Sequence, residues 1–576
     1  MRGQGSFEHI GRRLVASPGT GSGRCTGLAM RFVKGTRMNN NRDRVFSYHR
    51  RTKHHRQRYA AGPPALDWAH QPDPFRTFSG SPRLDLPLRT EEAARTYRDL
   101  YRTDATGSPL SLSSIAVLLE LSFGISAWKQ YEHLRWALRC NPSSGNLHPT
   151  EAYVITKGCI GIEDGVHHYV SRDHVLEHRC HCGGPPGVVP GLPEEAMLVG
   201  LSSIPWREAW KYGERAYRYC QHDIGHAIAS IRYAAATLGW RVQILTSWTD
   251  DEIGAVLGTD RTADFPGAER EWPEVMLLVR AAGALKAVLP ADALIVATQR
   301  GSWHGQANVL SAQHVYEWPV IDEVASACAK PRTRGPPWQP PTLPAPMDIG
   351  CVSAAVAVIK KRRSAQALDG ARILPAEVFY RMLDMTLPRV AVPPWDAITW
   401  KPRIHLALFV HRVDGLVPGL YLFVRNPEAM GLLRDQLSRE FDWVRVAGCP
   451  VHIELYRLVA ANTENAARTL SCHQDIAADG MFSLGMLAEY ESSLAAGPWH
   501  YRELFWEAGI LGQVLYLEAE AAGFAGTGIG CYFDDAVHEV LGIQGDTLQS
   551  MYHFTVGQAL TDTRLQTWPA YAHLAR

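Results

Sequence analysis

Long apolar runs are missing from this 576-residue chain. None reaches the ~18–20 residues that cross a bilayer as a helix, so no membrane span is expected. Net charge is missing as well: 59 Lys and Arg against 58 Asp and Glu leave +1. No global field steers nucleic acid or lipid toward such a surface, and neither is expected as a partner. The eleven Cys lack a framework spacing, which predicts free thiols in a reducing, cytoplasmic setting. A Gly-x-Ser-x-Gly nucleophile elbow is also absent. What remains is ordinary: 46% apolar and 20% charged residues, at a length that predicts more than one folding unit.

Composition divides the chain. Residues 1–58 hold 14 Lys and Arg but only Glu8 and Asp43 as acids. Without an apolar signal core, this segment reads as a basic, solvated tail, with the part before Met38 an upstream start. An Arg-rich transit peptide and a nucleic-acid arm are the weaker readings. Pro331 to Pro346 carries seven prolines and reads as a semi-rigid spacer. The expected units are therefore 59–330 and 349–576, joined by a linker over 331–348.

The two units are related. A shift of 284 positions lays Tyr217-Arg218 on Tyr501-Arg502, Gly225 on Gly509, Ala235 on Ala519 and Gly239 on Gly523. It also lays Asp250-Asp251 on Asp534-Asp535 and Val256-Leu257-Gly258 on Val540-Leu541-Gly542, giving 10 identities in 42 ungapped positions. Asp223 and Glu507 match in type. An old duplication explains this, and the pattern within each unit agrees. Tyr217–Leu238 and Glu503–Ala522 read as long helices with apolar and small residues on one face, the first closed by Gly239. Ala152–Ile155, Val275–Val279, Leu406–Val410, Val451–Leu455 and Tyr552–Val556 read as strands. Each unit is then α+β or α/β around a central sheet, and two such units form a covalent pseudo-dimer.

Several motifs carry chemistry. Pro142-Ser143-Ser144-Gly145-Asn146 puts two hydroxyls and an amide on one tight turn. Such a turn either closes itself by capping or holds a polar planar ligand. Arg362-Arg363-Ser364, ahead of the second unit's sheet, offers a guanidinium fork and a hydroxyl as a phosphate grip; with Lys360 and Lys361 it also reads as a solvated basic face. Gly526-x-Gly528-x-Gly530 has the wrong spacing and the wrong flanking elements for a dinucleotide fingerprint, but lets backbone approach a flat ligand. Arg564 is a further cation for phosphate. Cys180-His181-Cys182 with His178 looks ligand-like, yet no second Cys pair stands nearby, so no metal is expected. His54-His55 and His167-His168 read as tail and loop residues. The grip occurs only in the second unit and the polar turn only in the first, so each unit supplies one side of a site.

These motifs resemble the nitroreductase family of flavoproteins, in a tandem form similar to its SagB-type dehydrogenase branch. The resemblance implies an α+β fold of two nitroreductase-like units, each a mostly antiparallel sheet flanked by helices. It implies FMN between them, with Arg362, Arg363 and Ser364 on the phosphate. Pro142, Ser143, Ser144 and Asn146 meet the flavin from the other unit. Gly528 and Gly530 lie by the isoalloxazine, and Arg564 reaches the phosphate. Lys211 and Tyr212 match the branch's catalytic Lys-Tyr pair; their shifted partners are Ala495 and Ala496. The implied activity is FMN-dependent two-electron dehydrogenation or reduction of a small molecule or peptide. Electrons come from NAD(P)H or from the substrate itself, with oxygen as acceptor. The other reading is a flavin-binding scaffold that has lost catalysis.

Overall fold

A computed structural model describes residues 41–574, apart from 103–106, 183–190, 282–288, 336 and 349. The segment before Met38, read as an upstream start, lies outside the described residues, as do residues 38–40 of the expected tail. Two sheets organise the rest. Across the first, the strands run Val175–His181, Gly165–Val170, Thr150–Thr156, Ala196–Ser203, Trp272–Arg280, Arg241–Ile244. Across the second they run Leu455–Ala460, Gly419–Phe423, Ile404–Val410, Phe482–Glu489, Leu548–Gly557, Ala525–Ile529. Counted along the chain, both orders are third, second, first, fourth, sixth, fifth, and all these pairings are antiparallel. Short edge strands extend each sheet. The central strands are near-continuous apolar runs such as Ile404–Val410, all seven residues buried, as expected where both faces are covered.

Two helices of 22 residues, Ala216–Thr237 and His500–Ala521, sit at matching positions under the 284 shift. Sequence pattern predicts one buried face. Instead every residue of the first is buried, because the two helices pack on each other at the centre of the molecule. Gly225 and Gly509 make that crossing close. A Cβ on Gly225 would lie 2.2 Å from the Trp506 carbonyl and 2.9 Å from Gly509 Cα; a Cβ on Gly509 would lie 2.2 Å from the His222 carbonyl and 2.9 Å from Gly225 Cα. His222 and Trp506 are themselves 284 apart, so the contact is reciprocal in the manner of a two-fold interface. The matched charges exchange in the same way. Arg218 donates to Asp534 at 2.8 Å and Arg502 donates to Asp250 at 2.8 Å. Those four residues are among the ten identities, and their pairing accounts for them.

Three readings of the sequence fail for physical reasons. Residues 41–58 are not tail: Asn41–Arg51 is a helix that buries Val45, Tyr48 and His49. Two of its basic residues reach carboxylates while staying more than half exposed, Arg51 to Glu214 and Arg50 to Asp546, and Tyr48 donates to the Glu214 carbonyl at 2.7 Å. The strand expected at Val451–Leu455 begins only at Leu455 and runs to Ala460; Val451 is 86% exposed. His167 and His168 are buried strand residues, and His168 bridges Glu151 at 3.0 Å and Glu177 at 3.2 Å. Among the described residues no helix is long and apolar enough to cross a membrane. The Pro-rich segment forms neither helix nor strand over its described residues.

A third, small sheet ties the ends together. The hairpin Ile125–Tyr131 and Leu134–Arg139 pairs with Gln566–Trp568 near the C-terminus. A strand of the last residues thus lies on the first half, at the rim of the cavity described next.

Candidate functional site

A cavity of about 820 Å³ opens between the halves. Its wall includes Pro142, Ser143, Ser144, Gly145 and Asn146 from the first half, and Arg362, Arg363, Ser364, Gly528 and Gly530 from the second. Residues more than 200 positions apart thus share one space.

The polar turn is held from behind. Gly145, Asn146 and His148 all have left-handed φ, at 60°, 59° and 52°. Ser144 donates to Asp223 from its backbone N at 3.1 Å and from its hydroxyl at 3.1 Å. The His148 backbone N donates to Ser143 Oγ at 2.8 Å. Asn146 donates from Nδ2 to the Ala137 carbonyl at 2.9 Å, and its Oδ1 lies 2.9 Å from His148 Nε2. Both ends of the Asn146 amide are therefore engaged in shaping the turn, while Pro142, Ser143, Ser144 and Asn146 still face the cavity.

On the opposite wall, Arg362 is buried and donates from Nη2 to the Arg139 and Cys140 carbonyls, each at 3.1 Å. Its Nε has no hydrogen-bond partner among the described residues. Arg363 donates to the Lys360 and Arg362 carbonyls at 2.7 Å and to the Ser126 carbonyl at 3.1 Å. Burial, then the neighbouring Arg362, brings Arg363 down to about 10. Among the described residues no carboxylate is hydrogen-bonded to either guanidinium, and Glu520 acts on both only through space, so the pair favours an anion beside it. Ser364 Oγ lies 2.7 Å from the Tyr516 hydroxyl, which also accepts from Gly528 N at 2.9 Å.

Gly528 and Gly530 both line the cavity. A Cβ on Gly528 would sit 1.9 Å from the Tyr552 hydroxyl, and one on Gly530 would sit 2.4 Å from the Tyr219 ring. The glycines make room for tyrosines that line the cavity. Gly528 lies within the edge strand Ala525–Ile529 and Gly530 follows it directly. Arg564 is not in the wall: its side chain is 72% exposed and binds Asp562. Lys129 supplies a cation there instead, its Nζ donating to Thr567 at 2.7 Å across the small sheet.

Lys211 and Tyr212 end the helix Pro205–Tyr212, which stops at Gly213 with φ 54°. Tyr212 lines the cavity, whereas Lys211 stands just behind the wall. Its Nζ is 5.2 Å from the Tyr212 ring centre. A Cβ on Gly145 would lie 2.5 Å from the Tyr212 hydroxyl and 3.2 Å from Lys211 Nζ, so this turn position needs glycine both for its φ and for the Lys-Tyr pair. Burial raises the Tyr212 hydroxyl well above 10.

Sequence reading misses two carboxylates at this site. Glu208, one helical turn before Lys211, is fully buried, and among the described residues neither carboxylate oxygen has a hydrogen-bond partner of normal geometry, although the Ser143 side chain acts on it. Burial raises it well above its ordinary range, Asp223 raises it further and Lys211 opposes. Asp223 is pushed up to about 7 by burial, against the hydrogen bonds from Ser143 and Ser144. The one available signal was the match of Asp223 with Glu507. Cys180, the first residue of the Cys-His-Cys motif, belongs to the strand Val175–His181 and is buried with Sγ 3.8 Å from the Thr298 carbonyl; the Gly/Pro-rich residues that follow lie outside those described.

Residues 447–558 match the model of the nitroreductase family. A Methanocaldococcus jannaschii protein, provisionally named a nitroreductase, is 24% identical over 161 residues, covering 26% of this chain and 75% of that protein. A crystal structure of a provisionally named nitroreductase from Anabaena variabilis superimposes with a TM-score of 0.62 at 22% identity, covering 90% of this chain and 99% of the other. That likeness concerns the fold of almost the whole chain, both halves included. The family match itself lies within the second half of the chain, over residues 447–558.

Proposed function

We propose that this chain is an FMN-dependent oxidoreductase, a tandem duplication similar to the SagB-type dehydrogenases, with one composite flavin site between its halves. The observation that carries this reading is the shared wall of the 820 Å³ cavity: the Pro142–Asn146 turn on one side and Arg362–Ser364 on the other. The wall fits such a ligand. Arg362 Nε and Asn141 Oδ1 are buried there without hydrogen-bond partners among the described residues, and buried polar atoms of this kind are normally satisfied. Arg362, Arg363 and Ser364 would hold the phosphate, with Lys129 in the position expected of Arg564. Ser143, Ser144 and Tyr552 would face the ring system. FMN, when bound, supplies two-electron transfer to or from a substrate, a small molecule or peptide, with NAD(P)H as a further donor.

The chain's own residues then manage protons and position. Tyr212 stays protonated near neutral pH and donates a hydrogen bond into the cavity. Lys211 Nζ, behind Gly145 and beside that ring, would exchange protons through Tyr212 rather than with substrate directly. Glu208 and Asp223, crowded together out of water, hold a proton behind the turn.

The test takes variants from both halves. Arg362→Ala and Ser144→Ala should each lower flavin occupancy of the purified protein, read by visible absorbance. Lys211→Ala and Tyr212→Phe should keep the flavin and lose turnover. Retention of full flavin by Arg362→Ala would count against the composite site; full turnover in both Lys211→Ala and Tyr212→Phe would remove their catalytic role.

A further inference from the structure

Among residues that do not line the cavity, one side of the first sheet gathers imidazoles. His178 and His181 lie three positions apart on the strand Val175–His181, a spacing that puts side chains on opposite faces of a regular strand. The strand is not regular. Its register with Gly165–Val170 slips: His167 faces His178 while Val166 faces Cys180, leaving Arg179 as the extra residue. Such a bulge re-aims side chains, and it brings His178 and His181 together with Glu163. The ligand atoms of these three residues lie within 4.8 Å of one another.

The surroundings fix this arrangement. His178 Nε2 lies 3.0 Å from the Cys180 carbonyl, and Nδ1 lies 3.0 Å from Glu163 Oε2. Both neighbours are acceptors, but a neutral imidazole has a single N–H. With Nε2–H given to the carbonyl, the Nδ1 lone pair faces a carboxylate, a contact that a second ring proton or a metal cation relieves. A carbonyl on the far ring nitrogen is also what orients histidine toward a metal. Gly165 makes room for the ring: a Cβ there would lie 2.8 Å from His178 Nε2 and 2.1 Å from the Cys180 carbonyl. Glu163 is pinned through its backbone, whose carbonyl accepts from Thr156 Oγ1 at 2.8 Å and lies 2.9 Å from His167 Nε2. His167 in turn stacks on His178, ring centres 4.5 Å apart.

We infer that Glu163, His178 and His181 form a site for a divalent transition-metal ion, of the zinc class, that clips the turn before Gly165 to the bulged strand. Two imidazoles and one carboxylate suit such ions, and solvent completes the coordination. Ligand atoms at the usual bond lengths on a tetrahedral ion are about 3.3 Å apart, close to the 3.0 Å between His178 Nδ1 and Glu163 Oε2. Glu163 and His181 are exposed, so the ion has an entry path, and His181 is free to close the remaining gap. This site differs from the Cys-His-Cys set that the sequence brings to mind, because Cys180 points into the core.

The experiment is zinc binding by the full chain, measured by isothermal calorimetry after chelator treatment. One zinc per chain is expected, with a melting temperature that rises with zinc concentration. Glu163→Gln and His181→Ala, both at exposed positions, should each weaken zinc at least about 10-fold while leaving flavin absorbance unchanged. Zinc binding no weaker in the double variant, or no stoichiometric zinc in the wild-type chain, overturns the inference. Flavin content is scored in the same samples, so failure of this site is separate from failure of the cavity reading.

Discussion

The two halves place different things at equivalent positions on their central helices. In the first, Asp223 holds the Ser144 turn open over a cavity of about 820 Å³. In the second, the 284-shifted residue Glu507 accepts from the backbone N of Arg403 at 3.0 Å and pairs with Arg425. The space beside Glu507 is only about 10 Å³, lined by Trp338, Trp395 and Trp400 among others, room for about one water. The same fold thus keeps one site open and fills the other with tryptophan from the Pro-rich segment and the Pro393-Pro394-Trp395 stretch. The difference lies in the partners. Asp223 is buried without a cation and is pushed up to about 7, as at sites built for proton handling; Glu507 is paired with a guanidinium, as in a structural core.

The largest effect expected from this comparison is on turnover. Lys211→Ala should reduce steady-state turnover about 10²–10⁴-fold, the range for a positioned acid–base group, with flavin retained. Substitution of the equivalent Ala495 by Ser should leave it unchanged.

Next come the reciprocal ion pairs. Asp534 is buried and receives Arg215 at 3.0 Å and Arg218 at 2.8 Å, whereas Asp250 is more exposed and receives Arg502. Removing one partner of a buried pair costs about 3–5 kcal/mol. Asp534→Ala should approach that figure in denaturant unfolding, and Asp250→Ala should cost less. Equal costs would break the asymmetry.

A smaller effect tests the helix crossing. Gly225→Ala and Gly509→Ala each force a methyl into backbone 2.2 Å away, and overpacking of this kind costs about 1–3 kcal/mol. The reciprocity predicts similar losses at both positions. A loss at one position only would contradict it.

The smallest is a pH effect. The folded value of Asp223, about 7, exceeds the ~3.9 of an unfolded chain. The folded chain therefore keeps a proton that the unfolded chain has released, and this group's contribution to stability falls as pH rises from about 4 to about 7. Asp223→Asn should flatten that part of the stability profile by no more than ~1.4 kcal/mol per pH unit. An unchanged slope would mean that Asp223 is ionised throughout.

Much of this architecture was legible in the sequence. Periodicity and terminal glycines placed the two long helices within three residues at each end, and apolar runs placed four of five strands. The polar turn and the Arg-Arg-Ser grip were visible as motifs, and the fold brings them together. What could not be read depends on contacts between distant residues. Tyr516, which joins Ser364 to Gly528, looks like any helical tyrosine. Lys129 reaches the cavity only because Gln566–Trp568 pairs with its strand. Arg564 looked like a phosphate cation until Asp562, two residues away, took its charge. The basic stretch before residue 58 read as tail because its carboxylate partners, Glu214 and Asp546, lie far along the chain.

The most direct test of the central claim is to release and count the flavin of the purified full-length protein, with its visible spectrum recorded first. One open and one filled site predict a yellow protein holding one FMN per chain. Two FMN per chain, or a colourless protein that does not take up added FMN, would contradict the account.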